Sequence, residues 1–437
     1  MSLLDPFRRG ALRALCACAA VLLGACGSDS PVEVGAGLLP AEPVTTFEVV
    51  LEADQFLALD SAFALYNQPA DAGFAMIAAD YAGVLDAHAL NRFSIVRTIT
   101  VRDTLANSVR IDSLPRYFGG RLVVRIDTVR TPLGSVQLSA YQSMESWDAG
   151  SATWQTRIDS GTVELPWTQP GGTLGPQITT GEWLRTEGDS LVMAIDSATL
   201  AVLRDSTVAR QGIIIVSETP GSRVRVSEIV LRADARSSLP TDTVVTTTGV
   251  NLGRTFIYDP APEPRIDATR VGGVPSYRTL IRLRDDLGDL VIECPDDFGE
   301  AGCAVPLRDA AITSALLEYT LAAPPPEFVP EDSVLFAALP LLETPGVPFA
   351  RSPLGSVSQA IGGSRFIRPA DFDDVTTADP VRFVVTTAIR QAASEDAAAI
   401  GIAIIPALEL STFGFVPLQP APRLRLVLTT SREVQLQ

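Results

Sequence analysis

The chain has 437 residues, enough for two or three domains at about 150 residues each. Hydrophobic residues make up 46% and mean hydropathy is +0.23, which excludes wholesale disorder. Acidic residues outnumber basic ones 51 to 34, a net charge of −17, and the one histidine is His88, which together exclude a nucleic-acid footprint and a histidine-ligated zinc site.

The N-terminus reads as an address. Arg8, Arg9 and Arg13 precede a small, apolar run from Ala14 to Ala25. That run is well short of the roughly 20 residues a spanning helix needs, and it matches the basic and apolar regions of a secretory signal. It ends Leu23-Gly24-Ala25-Cys26, which looks like a bacterial lipobox. Small residues let the peptidase reach the backbone, and the Cys26 thiolate takes the lipid. Cleavage there removes Cys16, Cys18 and three arginines against Asp5, so −17 less +2 leaves −19 on the mature chain. Several acyl chains make an anchor stable where one is marginal. Glycine rather than aspartate at position 27 resembles the outer-membrane sorting signal of diderm bacteria, with the body periplasmic or surface-facing. Residues 27–45 hold several Gly and Pro and read as a tether with a reach of roughly 25 Å.

Short strands follow. RFSIVRTITVRD (92–103), RLVVRIDTVR (121–130), VRVSEIVLRADA (224–235) and PRLRLVLTT (422–430) alternate apolar and polar residues, which places one face in a core and one in water. Gly/Pro turns separate them, and only SATLAVLR (197–204) and TAIRQAASEDAAA (387–399) suggest helices, both short. His88 lies in DAHALNRF with no G-x-S-x-G in the chain, so it is read as an ordinary loop or strand-edge residue.

All four tryptophans fall within residues 147–183. Indoles bury large areas, so core packing competes with ligand contact for all four. Trp167 and Trp183 lie in loop-like sequence, PWTQPGG and TTGEWLR, and are the candidate exposed contacts for a sugar ring.

The halves match in order. Residues 188–218 parallel 378–407: strand, short helix, polar turn, then a buried Gly-Ile strand and a closing strand. Two tandem β-sandwich units are expected, 46–237 and 255–432, joined by a Pro/Thr-rich linker over 238–254. In the second, Cys294 and Cys303 bracket PDDFGEAG and read as a disulfide in an exported protein, contributing roughly 2–3 kcal/mol. Asp296, Asp297 and Glu300 lie in that loop, and Asp371, Asp373 and Asp374 form a second acidic cluster. A structural calcium is the one ion such clusters suit, but neither has a recognised loop spacing, and solvated acidic turns are the simpler reading. No other cofactor is expected.

SVQLSAYQSMESWDAGSATWQ (135–155), with Trp147 and then Thr153-Trp154, resembles DNRLRE-type modules, which are disaggregatase-related β-sandwich domains. YRTLIRLRDDLGD (277–289) and PRLRLVLTT are similar to their arginine-strand and last-strand segments, although the second unit lacks both tryptophans. CGSDSPVEVGAGLLP resembles the start of a bacterial lipoprotein family of unknown function (DUF4270). The resemblance implies an all-β, jelly-roll-like fold with Trp147 and Trp154 in its core, and extracellular carbohydrate-binding or scaffold modules, with no defined reaction. The expected protein is therefore a non-catalytic outer-membrane lipoprotein whose partners are the membrane, through Cys26, and polysaccharide or envelope proteins. A polysaccharide hydrolase or lyase, and an accessory subunit of a surface-assembly or export complex, are the alternatives.

Overall fold

The computed structural model describes residues 45–240, 244–294, 304–343, 346–355, 366–394 and 400–430. Residues 1–44, on which the expected signal segment, Cys26 and the expected tether fall, lie outside the described residues. The chain is all-β, and the helix expected at 197–204 is present as Ser197–Leu203, its first turn capped by Asp196 accepting from the Thr199 N–H at 2.7 Å.

Period-two alternation needs two environments, and the first unit supplies the inner one by rolling a single sheet. Its neighbour order is Leu174–Leu184, Ser135–Ser143, Ile213–Ser217, Leu85–Ser94, Ala75–Tyr81, Ser222–Arg236, Arg116–Ile126 and Ser190–Asp196, every pair antiparallel. The two ends of that path meet. Thr179 Oγ1 donates to the Ala194 carbonyl at 2.7 Å, joining the last strand to the first. Gly181 permits the approach, because a Cβ there would lie 2.9 Å from Met193 Cγ. Leu122, Val124, Leu138, Met193, Ile215 and Val224 fill the interior, as side chains do in small rolled sheets. The expectation of two opposed sheets here is corrected: one sheet buries its own inner face.

The second unit is a true pair of sheets. Thr45–Leu51, Arg423–Thr430, Ala311–Tyr319 and Val381–Val384 form one; Arg265–Ile266, Leu57–Phe63, Arg278–Leu283, Gly401–Pro406, Val334–Leu341 and Phe366–Ile367 form the other. Leu424, Leu426 and Leu428 of PRLRLVLTT face Ile281, Phe336, Ile402 and Ile404 in the core between them.

The boundaries read from the sequence shift. Residues 45–63 pair with Arg423–Thr430 and Arg278–Leu283, so they belong to the second unit and not the first. Much of the expected linker is strand: Val244–Thr248 pairs with Ser222–Arg236, and Val250–Asp259 with Leu85–Ser94. The units are nested rather than tandem. The first occupies the connection between Leu57–Phe63 and Arg278–Leu283 of the second, and chain entry and exit lie side by side, with the Ala64 N–H donating to the Pro264 carbonyl at 3.0 Å.

Neighbour order repeats between the units. Val334–Leu341, Gly401–Pro406, Arg278–Leu283 and Leu57–Phe63 follow one another as do Ser135–Ser143, Ile213–Ser217, Leu85–Ser94 and Ala75–Tyr81. Each unit also has a short helix after its equivalent edge strand, Ser197–Leu203 after Ser190–Asp196 and Thr386–Ala392 after Val381–Val384.

An aromatic seam joins the units. Phe256 and Tyr258 of the first meet Phe413 of the second at ring-centroid distances of 6.3 and 5.2 Å, and Phe328 stacks on Phe413 at 5.6 Å. Beside the seam, Glu331 lies 3.7 Å from Arg223 and 3.9 Å from Arg225 and accepts from the Phe413 N–H at 2.9 Å. Arg130 Nε donates to Asp332 at 2.7 Å.

Asp60 lies between the sheets of the second unit, with Thr269 Oγ1 at 3.3 Å. Burial pushes its carboxyl up to about 6, against the lowering effect of the Tyr319 and Thr269 hydroxyls. A raised folded-state value means that the neutral form suits the fold. The resulting stability is fully present below about pH 4 and is lost as pH rises through 6, on the order of 2 kcal/mol after solvent screening. Asp60→Asn is therefore expected to be more stable than wild type at pH 7.5, with the difference shrinking by pH 4.5. Urea midpoints across that range check this, and parallel profiles for the two proteins would refute it.

Candidate functional site

The outer face of the first unit's sheet carries Leu90, Ile214, Val216 and Ile257, apolar side chains that need cover. The segment from Met144 to Thr173 provides it. Trp147 and Trp167 press onto that face, and each indole N–H is satisfied: Trp147 Nε1 donates to the Gln211 carbonyl at 2.7 Å and Trp167 Nε1 to the Thr153 carbonyl at 3.0 Å. Trp154 packs over His88 at 4.7 Å between ring centroids. Gly171, at φ +83°, lies beneath the Trp154 ring, where any Cβ would come within 2.7 Å of it.

The sequence-predicted contacts are therefore corrected. Trp167 is only 5% exposed. Trp183 sits not in a loop but on the strand Leu174–Leu184, 1% exposed inside the rolled sheet, with Nε1 donating to the Gly188 carbonyl at 2.9 Å. Neither offers a flat face to a sugar ring, because both complete cores. Trp147 is buried as expected, whereas Trp154 keeps a partly exposed edge.

His88 occupies the strand Leu85–Ser94, and its Nδ1 bonds the Gly171 carbonyl at 2.6 Å, so Nδ1 carries the proton. Burial holds its pKa below the usual imidazole value, against the raising effects of that bond and of Asp86 and Glu218. It fastens the covering segment to the sheet.

The acidic cluster at 371–374 shapes a turn. Asp371 Oδ2 accepts from the Arg368 N–H at 2.9 Å, and Asp374 Oδ1 from the Thr376 N–H and hydroxyl at 3.1 and 2.6 Å. Asp373 follows directly after the short 3-10 helix Pro369–Phe372. Among the described residues no group of three His, Cys, Asp or Glu side chains could hold a metal ion. Asp296, Asp297, Glu300 and Cys303 lie outside the described residues, while Cys294 packs at the edge of the second unit's core.

What the covering segment does build is a recess. Between Met144, Glu145, Ser146 and Arg157 on one side, and Thr207, Arg210 and Gln211 of the helix Ser206–Gln211 on the other, lies a polar cavity of about 400 Å³. Its walls are tied together: Gln211 Nε2 donates to the Met144 carbonyl at 2.9 Å, and the Gln211 carbonyl takes the Trp147 indole. Glu145 accepts from the Thr168 N–H and hydroxyl at 3.1 and 3.2 Å and from the Thr173 hydroxyl, and lies 3.5 Å from Arg157 Nε. Burial alone would raise its pKa, but those bonds and the Arg157 charge hold it below the ordinary glutamate value. It is the one carboxylate in the lining. Nothing in the spacing of 145, 157 and 210 announces this grouping, which long-range sheet pairing assembles.

A second surface feature is the hairpin Ile99–Asp103/Ser108–Asp112. Its inner face packs Ile99 and Val101 on Ala235, while Val109, Ile111 and the turn residue Leu105 are exposed.

No family model, no curated protein and no solved structure matches this chain.

Trp167→Ala is expected to lower the unfolding free energy by about 3–5 kcal/mol, because it removes a buried indole. A urea midpoint unchanged from wild type would contradict the burial described for this residue.

Proposed function

We propose that this protein is an outer-membrane lipoprotein, anchored through Cys26, whose β body binds a polar, saccharide-sized ligand without transforming it. The recess beside Glu145 carries the binding half of this reading. Its volume falls within the usual range of roughly 300–1,000 Å³ for ligand sites, and its walls, the turn after Ser135–Ser143, the short strand Thr156–Asp159 and the helix Ser206–Gln211, are tied to one another by hydrogen bonds. Hydrolysis of a glycoside needs two carboxylates across a cleft, one of them a proton donor. The lining offers one, and it is held ionised by its hydrogen bonds, which favours binding over hydrolysis. The lipobox carries the anchoring half.

The exposed apolar face of the Ile99–Asp112 hairpin favours one second reading, an accessory subunit that docks to an envelope protein through Val109 and Ile111.

The oxidising milieu implied by export also suits a Cys294–Cys303 disulfide. Val291–Glu293 pairs antiparallel with Ala304–Pro306, with Glu293 opposite Ala304, which supports that reading.

Two measurements test the address. Cys26→Ala should abolish incorporation of labelled fatty acid, and labelling that persists in this variant would sink the anchor. In the exported wild-type protein, Cys294 and Cys303 should resist alkylation until a reductant is added. Full alkylation without reductant would exclude the disulfide.

A further inference from the structure

We infer that the recess between the tryptophan-pinned segment and the helix Ser206–Gln211 takes a saccharide carrying an oxyanion, such as a uronic acid; this rests on the binding reading above. The charges in the lining are unequal, two arginines against one glutamate. Glu145 is already occupied by Thr168, Thr173 and Arg157. Arg157 directs Nη1 to the Ser146 carbonyl at 2.9 Å and turns Nε toward Glu145 at 3.5 Å, so these two charges offset each other and Arg210 is left as the unbalanced cation of the lining. The Arg210 side chain makes no ion pair or hydrogen bond with any described residue.

A planar guanidinium with free donors matches a carboxylate in two-point geometry and holds it more strongly than a neutral hydroxyl. The surroundings sharpen the choice. A chain of net charge −17 repels anions over most of its surface, so a locally positive recess is a place where an anionic sugar is held rather than excluded. Thr207 and Ser146 add groups that can bond ring hydroxyls. The tie between Gln211 and the Met144 carbonyl fixes the spacing of the two arginine-bearing walls before any ligand arrives.

The test is isothermal titration of the chain from residue 27 onward, which retains every described strand, with three probes: trigalacturonic acid, its neutral methyl ester, and inorganic phosphate. The acid is expected to bind at least about tenfold more tightly than the ester, with affinity falling as salt is added. Arg210→Ala should remove most of that preference, and Arg210→Lys, with charge but no fork, should restore only part. Arg210 is an exposed surface residue, so these variants keep the fold, checked by an unchanged urea midpoint. Equal binding of acid and ester, or an acid affinity unmoved by Arg210→Ala, overturns the selection for charge while leaving saccharide binding standing. Phosphate binding as tightly as the acid overturns the saccharide. No binding by either oligosaccharide overturns this inference and the binding reading together.

Discussion

The pairing of Leu57–Phe63 with Arg278–Leu283 is the contact on which the rest of the molecule depends. It closes the second unit's sheet with a strand from the far end of the described chain, and everything between the two strands must leave and return through one point. The first unit fills that excursion. Its rolled sheet needs no partner to bury its inner face, so it can sit as an insertion. Its outer faces do need partners. The Phe256–Phe413 seam covers one of them, and the tryptophan segment covers the other.

The seam mixes apolar contact with buried charge. Glu331 sits among Arg223, Arg225 and the Phe413 N–H, a grouping that is costly to desolvate and more costly to break on one side. Such a contact adds little net stability over apolar packing, but it penalises any other relative placement of the units. Asp60 works in the opposite sense within the second unit, since a carboxylate forced toward neutrality makes the fold sensitive to pH.

The recess is a by-product of covering an apolar face. Three indoles hold the segment 144–173 against the sheet, and the helix Ser206–Gln211 meets its near end without closing on it. Rigidity comes from the indole hydrogen bonds, chemistry from the polar residues between them. Trp167 and Trp183 therefore act through packing. Their sequence neighbourhood looked like loop because Pro, Gly and Thr crowd it, yet that composition serves a tight cover and a strand with a glycine at a close approach.

Sequence by itself determined the strand-rich class, since period-two alternation in 121–130 and 422–430 reports on one residue's neighbours two positions away. It also pointed to a short helix over 197–204, which the fold forms as Ser197–Leu203, and to a repeated order of elements that strand neighbours reproduce. Tertiary structure alone decided that the units are nested, that one sheet rolls while the other unit opposes two, and that Glu145, Arg157 and Arg210 share a cavity. Each of those facts rests on hydrogen-bond register between strands far apart in the chain, and register leaves no local trace: any alternating strand presents the same pattern to every edge it might join.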